Sequence, residues 1–171
     1  MRLADSHNHI HFGECDTAAM LKRALSAGVA YQLLVGIDPD DCRRALDVAM
    51  SEPGLYAAIG IHPQLAGRYA PLDVQSLSEL AGPKVVAVGE TGFDLYRTPA
   101  TETAQSELFR AHIELARRLT LPLVIHDRQA HDQTLTVLDE TDGWSLGGVM
   151  HCFSGDVSLA RTILDKGFYL S

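Results

Sequence analysis

Cysteine is scarce in this chain of 171 residues, which has three at uneven spacing, Cys15, Cys42 and Cys152. An odd and irregular set argues against a disulfide framework and favours a reducing compartment. No run of about 18 apolar residues occurs, so neither a membrane span nor a membrane partner is expected. The first residues lack a basic stretch followed by an apolar one, so no signal peptide is predicted and the cytoplasm is the expected location.

Positive charge is also in short supply, because 14 Lys and Arg residues face 22 Asp and Glu residues, giving a formal net charge of -8. Proteins that grip nucleic acid through a broad surface are usually basic. This balance counts against extensive duplex wrapping. It counts less against a metal-dependent phosphodiesterase, in which metal ions supply positive charge and carboxylates serve as ligands.

What is present is typical of one soluble globular domain, which we assign to residues 1–171, with 46% hydrophobic and 21% charged residues. Short apolar runs alternate with amphipathic stretches along the chain. The apolar runs predict strands in LADSHNHI, YQLLVGI, LYAAIGIHP, KVVAVGETGFD, LPLVIHDR, GGVMHCFSG and FYLS. The stretches between them predict helices at about 17–27, 39–50, 74–80, 103–119, 130–139 and 156–166.

Strands that alternate with helices in this way indicate βαβ units and a parallel α/β sheet. Two architectures fit, a TIM-type (β/α) barrel and an open doubly wound sheet. The first strand is followed by His-Asn-His rather than a GxGxxG turn, and polar residues end at least four strands, so we favour the barrel. A complete barrel has eight strands and about 250 residues. Six βα units and the start of a seventh strand therefore predict an incomplete barrel.

Eight histidines are present, and five of them end apolar strands. His7 and His9 are two residues apart, so in a strand both side chains project to the same face and can grip one metal ion. Taken alone, the pair has an alternative interpretation as a polar strand end in contact with solvent. His62 ends the third strand, where it contacts substrate or stabilises a loop.

The fourth, fifth and sixth strands also end in residues that could bind a metal ion or a phosphate. Glu90 follows VVAVG, where a buried carboxylate needs a metal ion or a salt bridge. His126 and Arg128 share a face of the fifth strand, the imidazole suited to a metal and the guanidinium to a phosphate. His151 ends GGVM. We expect Asp94 to support one of these ligands.

The three remaining histidines, His11, His112 and His131, are not counted among the ligands and are expected in incidental, surface or packing roles. The candidate ligands are nitrogen and oxygen atoms without a thiolate, a set that suits Zn²⁺, Mn²⁺ or Mg²⁺. Four histidines and one carboxylate are enough for two divalent ions if Glu90 bridges them.

The chain resembles the TatD family of metal-dependent hydrolases. The segments that carry the resemblance are DSHNH (5–9), AIGIHP (58–63), VGETGFD (88–94), LPLVIHDR (121–128) and HCFSG (151–155). The resemblance implies a TIM-type barrel, a two-metal centre and phosphodiester hydrolysis, often as a deoxyribonuclease. It also implies that His7 and His9 hold one ion, that Glu90 bridges, and that His126 and His151 hold the other.

One departure from the family is visible, because the family has a further Asp motif near the end of its seventh strand and this chain ends at Ser171. We expect a fragment, a barrel completed by a partner or a second copy, or a shortened paralogue.

Three functions are compatible with this sequence. The first is cleavage of single-stranded or nicked DNA, with Glu90 catalytic and with His62 and Arg128 on the phosphate. The second is an amidohydrolase acting on a small molecule. The third is metal binding without turnover.

Overall fold

The computed structural model describes residues 2–13, 16–97 and 100–171, so Cys15 lies outside the described residues. Seven strands form one sheet, all parallel and in chain order. They are β1 (Leu3–Asn8), β2 (Val29–Val35), β3 (Leu55–Ile59), β4 (Val85–Asp94), β5 (Leu123–Arg128), β6 (Gly148–His151) and β7 (Tyr169–Leu170). The predicted parallel α/β sheet is confirmed.

Six α-helices connect the strands and follow the predicted alternation. They are α1 (Thr17–Ser26), α2 (Pro39–Ser51), α3 (Pro71–Ser76), α4 (Glu102–Leu119), α5 (His131–Glu140) and α6 (Val157–Asp165). Asp38 caps α2, because its carboxylate accepts a hydrogen bond from the Asp41 N–H at 2.8 Å. None of the described helices has the length and apolar character needed to cross a bilayer.

The third helix begins earlier than the apolar periodicity predicts. Pro71 occupies its first turn, where a missing N–H costs nothing, and the Asp73 carboxylate accepts a hydrogen bond from the Ala70 N–H at 2.7 Å. The segment Leu77–Leu80, which was predicted to be helical, forms a separate 3₁₀ turn. Local capping therefore decides this boundary rather than the spacing of apolar residues.

The sheet curls, as a TIM-type barrel requires. β1 and β6 are not neighbours in the sheet, yet the rings of His7 and His151 stack with their centroids 3.4 Å apart. Only a strongly curved sheet brings these two strand ends into contact. Within the described chain β1 pairs with β2 alone and β7 with β6 alone, so both edges are open. The described strands thus form part of a barrel of the predicted TIM type.

The hydrophobic core lies against the middle strands of the sheet. β3 and β4 are buried over nearly their whole length and β5 over its first half, as expected for parallel strands covered on both faces. The largest cluster includes Ile59, Val88 and Leu123 from the strands and Phe109 and Leu115 from α4. The carboxyl ends of β3, β4 and β5 are therefore anchored in the best-packed part of the chain.

Candidate metal centre

The residues predicted to bind metal meet at the carboxyl end of the sheet. His7, Glu90, His126 and His151 lie on β1, β4, β5 and β6, and His9 directly follows β1. The side chain of Glu90 is 5% exposed and lies at the middle of the group. Carboxyl ends of parallel strands converge at the mouth of a barrel, which explains why residues so distant in sequence come together here.

The two carboxylate oxygens of Glu90 face different histidines. Its Oε2 is 3.3 Å from His7 Nε2, and its Oε1 is 2.9 Å from His126 Nδ1. Burial alone would raise the pKa of Glu90, but hydrogen bonds from His126 and His7 and the nearby imidazoles lower it well below its usual range. The carboxylate is therefore anionic at neutral pH and presents one oxygen to each side of the site.

His7 and His9 project to the same face, as the spacing predicts. Their Nε2 atoms are 3.1 Å apart. His9 Nδ1 donates a hydrogen bond to the Val35 carbonyl oxygen at 2.7 Å, which assigns the proton to Nδ1 and leaves the Nε2 lone pair directed toward the site. Burial, together with His7, lowers the pKa of His9, which keeps that lone pair available.

The ligand atoms fall into two groups that share Glu90. His7, Glu90 and His151 form one, and His62, Glu90 and His126 form the other, with the ligand atoms of each within 4.8 Å of one another. This division differs from the pairing of His151 with His126 that the family resemblance implies, because the curl of the sheet stacks the His151 ring on His7. The distribution of ligands between two ions stays a prediction.

His62 stands beside His126, with 3.3 Å between its Nε2 and His126 Nδ1. Its Nδ1 accepts a hydrogen bond from the Gln64 N–H at 3.2 Å, so the ring stabilises the turn that begins at Pro63. Burial lowers the pKa of His62 to about 4, so the ring is neutral and its proton is assigned to Nε2. In this tautomer Nε2 is a hydrogen-bond donor facing the centre rather than a free metal ligand.

Asp94 supports His126 from the outer side, as expected. Its Oδ2 lies 3.2 Å from His126 Nε2 and accepts a hydrogen bond from Gln64 Nε2 at 2.8 Å. Buried Gln105 holds the same residue by its backbone, accepting from the Asp94 N–H at 2.7 Å and donating to the Asp94 carbonyl oxygen at 3.1 Å. Burial would lower the pKa of His126, but contacts with Glu90 and Asp94 raise it.

Four other residues named from the sequence lie outside this group. Arg128 is exposed, and its guanidinium lies over the Tyr96 ring, 4.5 Å from the centroid. His11 is buried, with Nε2 3.1 Å from Asp41 Oδ2, and His131 Nδ1 is 2.9 Å from Asp127 Oδ2. His112 is buried within α4, so its predicted packing role is the one observed.

The donor set fits one or two divalent cations. Nitrogen atoms of partly buried or exposed imidazoles and the oxygens of buried Glu90 converge without a thiolate, a donor set that suits Zn²⁺, Mn²⁺ or Mg²⁺. The Nδ1 atoms of His7 and His151 are buried and have no hydrogen-bond partner among the described residues, which is unusual for polar atoms of a purely structural cluster. Burial and the neighbouring His7 lower the pKa of His151 to about 4, which keeps this imidazole neutral.

Comparison with known proteins agrees with this architecture. The family described as TatD related DNase matches residues 4–171. YabD of Bacillus subtilis (strain 168), an uncharacterized metal-dependent hydrolase, is 37% identical over 99% of this chain and 68% of its own length. The 3'-5' ssDNA/RNA exonuclease TatD of Salmonella typhimurium is 32% identical over 91% of this chain and 60% of its own.

A solved structure, that of the TatD homolog YjjV from Escherichia coli K12, superposes with a TM-score of 0.90 at 32% identity, over 99% of this chain and 67% of that one. A curled parallel sheet with imidazoles around a shared carboxylate at its strand ends defines a metal-dependent hydrolase of the barrel class. The chain belongs to the TatD family of these hydrolases. It spans about two thirds of the length of the curated relatives it matches.

Proposed function

We propose that this chain hydrolyses phosphodiester bonds of single-stranded or nicked DNA at a centre of two divalent ions. The observation that carries the proposal is the position of Glu90, whose two oxygens face different groups of imidazoles. A carboxylate placed in this way can bridge two ions. The Salmonella relative named as an ssDNA/RNA exonuclease supports the choice of substrate.

Metal ions bound there would stabilise the attacking and leaving oxygens and make hydroxide available near neutral pH. The chain's own residues hold and orient the reactants. We assign the ions to His7, His9, Glu90, His126 and His151. His62 Nε2–H and the Arg128 guanidinium are the donors suited to phosphate oxygens, His62 from inside the centre and Arg128 from its rim.

Lys84 argues against the small-molecule amidohydrolase alternative. In that class a carbamylated lysine at the end of the fourth strand often bridges the metals. Lys84 instead precedes β4, at the opposite end of the barrel, where its Nζ donates hydrogen bonds to the carbonyl oxygens of Glu52 at 2.7 Å and Leu55 at 2.9 Å. Its ammonium group links the starts of neighbouring strands, and the residue that we propose as the bridge is Glu90.

The test is metal-dependent cleavage of single-stranded DNA. Protein stripped of metal is supplied with Mg²⁺, Mn²⁺ or Zn²⁺ in turn, and we expect cleavage with at least one of them. Glu90→Gln keeps the shape of the side chain but removes the anionic bridge, so its rate should fall by about 100-fold or more. The matched control is Glu107→Gln, an exposed glutamate of α4, which should cleave like the unmodified protein.

Two results would contradict the proposal. One is turnover by Glu90→Gln at the rate of the control. The other is the absence of cleavage by folded, metal-loaded protein on any phosphodiester substrate. A panel of amide and lactone substrates, measured in parallel, would then separate small-molecule hydrolysis from metal binding without turnover.

A further inference from the structure

An exposed aromatic ring flanked by two guanidinium groups stands beside the metal centre. Tyr96 follows β4 by two residues and is 51% exposed. The Arg128 guanidinium carbon lies 4.5 Å from the centroid of its ring, and that of Arg97 lies 5.4 Å away. Neither Tyr96 nor Arg97 belongs to the candidate metal ligands.

Both arginines lack an acidic partner. Within the described chain no carboxylate lies within salt-bridge distance of Arg97 or Arg128, whereas four arginines elsewhere on the surface are paired. Two unpaired cations beside one ring therefore form a local positive patch on a chain with a net charge of -8. Such a patch at the mouth of a catalytic cleft attracts anionic ligands.

The patch is tied to the metal centre through a buried carboxylate. Asp94 Oδ1 accepts hydrogen bonds from the backbone N–H groups of Tyr96 at 2.9 Å and Arg97 at 2.8 Å, while its Oδ2 faces His126 Nε2. Arg128 is two residues beyond His126 on β5, or about 7 Å along the strand. The backbone of Tyr96 and Arg97 is thus held next to the predicted metal ligands.

We propose that Tyr96, Arg97 and Arg128 form a nucleotide-binding subsite, in which the Tyr96 ring stacks on a nucleobase and the guanidinium groups contact the adjoining phosphate. The subsite rests on the proposed function, since it holds a nucleotide next to the bond to be cleaved. Aromatic rings and arginine planes are the groups on which unpaired bases stack, and a base inside a duplex cannot reach them. The subsite therefore selects single-stranded nucleic acid.

The test measures binding, with metal chelated so that no cleavage occurs. Fluorescence anisotropy compares a single-stranded oligonucleotide with an abasic one of the same length and charge. The unmodified protein should bind the normal strand about five- to 150-fold more tightly, the range expected for one stacked base. Tyr96→Phe should keep this ratio and Tyr96→Ala should bring it close to one.

The arginines have their own control. Arg97→Gln and Arg128→Gln should each weaken binding of both oligonucleotides and reduce the salt dependence by roughly one phosphate contact. Arg43→Gln, which removes an exposed arginine already paired with Asp40, should change neither. If the affinity for the oligonucleotides depends on salt to the same extent in all three variants, the proposed contacts of Arg97 and Arg128 with phosphate are wrong.

The outcomes separate the subsite from the proposed function. Equal binding of the two oligonucleotides by the unmodified protein, or a ratio that Tyr96→Ala does not lower, overturns the subsite even if DNA is cleaved when metal is added. A base-dependent ratio that Tyr96→Ala abolishes supports the subsite, and it does so even if no metal produces cleavage, which would overturn only the proposed hydrolysis.

Discussion

At the scale of single residues, His112 connects the helix layer to the edge of the metal centre. Its Nε2 accepts a hydrogen bond from the Ile61 N–H at 2.9 Å, and its Nδ1 donates to the Leu108 carbonyl oxygen at 2.7 Å. Ile61 precedes His62, so this imidazole holds the chain at the point where it leaves β3. The hydrogen bond from Ile61 requires the neutral ring, because a protonated Nε2 has no lone pair with which to accept it.

We therefore expect His112 to make the fold sensitive to acid. Its burial lowers the pKa to about 4, from a usual value of 6.5. Between these values the unfolded chain binds a proton that the folded chain excludes, so stability is full above pH 6.5 and falls as the pH decreases. The loss by pH 4 is up to roughly 3 kcal/mol. His112→Gln should remove this part of the pH dependence.

Urea denaturation at a series of pH values between 7 and about 4 measures this effect. Other buried histidines add to the pH dependence of both proteins, so the informative quantity is the difference between His112→Gln and the unmodified chain. His131→Gln is the control, because it alters a partly exposed histidine on α5 that lies beside Asp127. A pH profile of His112→Gln parallel to that of the unmodified chain would contradict the prediction.

At the scale of elements, the contact between β4 and β5 depends on a residue without a side chain. Gly92 has a φ of +127°, and a Cβ added there would lie 2.2 Å from the carbonyl oxygen of His126. Gly92→Ala should destabilise the fold by on the order of 3 kcal/mol and displace His126. Gly82→Ala is the control, since no described atom lies within 4 Å of its added Cβ. Denaturation midpoints of similar value for the two variants would refute this account.

The order of elements could be predicted from the sequence because it depends on local patterns. Apolar runs and amphipathic stretches located the strands and α-helices of the described residues with shifts of a few residues, such as β2 beginning at Val29 rather than Tyr31, but not the short 3₁₀ turns. Supporting residues could not be predicted in this way. Gln105 and Gln64 carry no local signal, because their partner Asp94 is reached only once α4 and the turn after β3 have packed against β4.

At the scale of the whole molecule, the sheet has two open edges that present apolar groups. Tyr169 on β7 is 75% exposed and Leu3 on β1 is 40% exposed. Exposed strand edges promote pairing with another chain. We expect the 171-residue chain to self-associate as its concentration rises, and Tyr169→Lys to reduce the association.

Sedimentation velocity over a range of concentrations measures this association. Leu72→Lys supplies the control, because it places the same charge on an 80% exposed leucine of α3, away from both edges. It should associate like the unmodified chain. A chain that stays monomeric at every concentration, or two variants that behave alike, would refute a role for the open β7 edge.

The candidate metal centre also combines features that depend on local sequence with features that depend on the whole sheet. Residue types at strand ends were enough to select Glu90 and the histidines around it, because a parallel barrel brings strand ends together whatever its loops do. The grouping of His151 with His7 depends on how far the sheet curls. That curvature arises from the packing of the whole sheet, so it cannot be predicted from any single segment of the sequence.

The stacking of His7 on His151 also has a kinetic consequence. The two rings come from β1 and β6, so the centre is complete only after strands far apart in the sequence have met, a step that loop closure makes slow. An ion bound only by the assembled centre would link β1 to β6. It would add about 4 kcal/mol to the free energy of unfolding when present at a thousand times its Kd. The rate of metal uptake during refolding would then report when β1 and β6 come together.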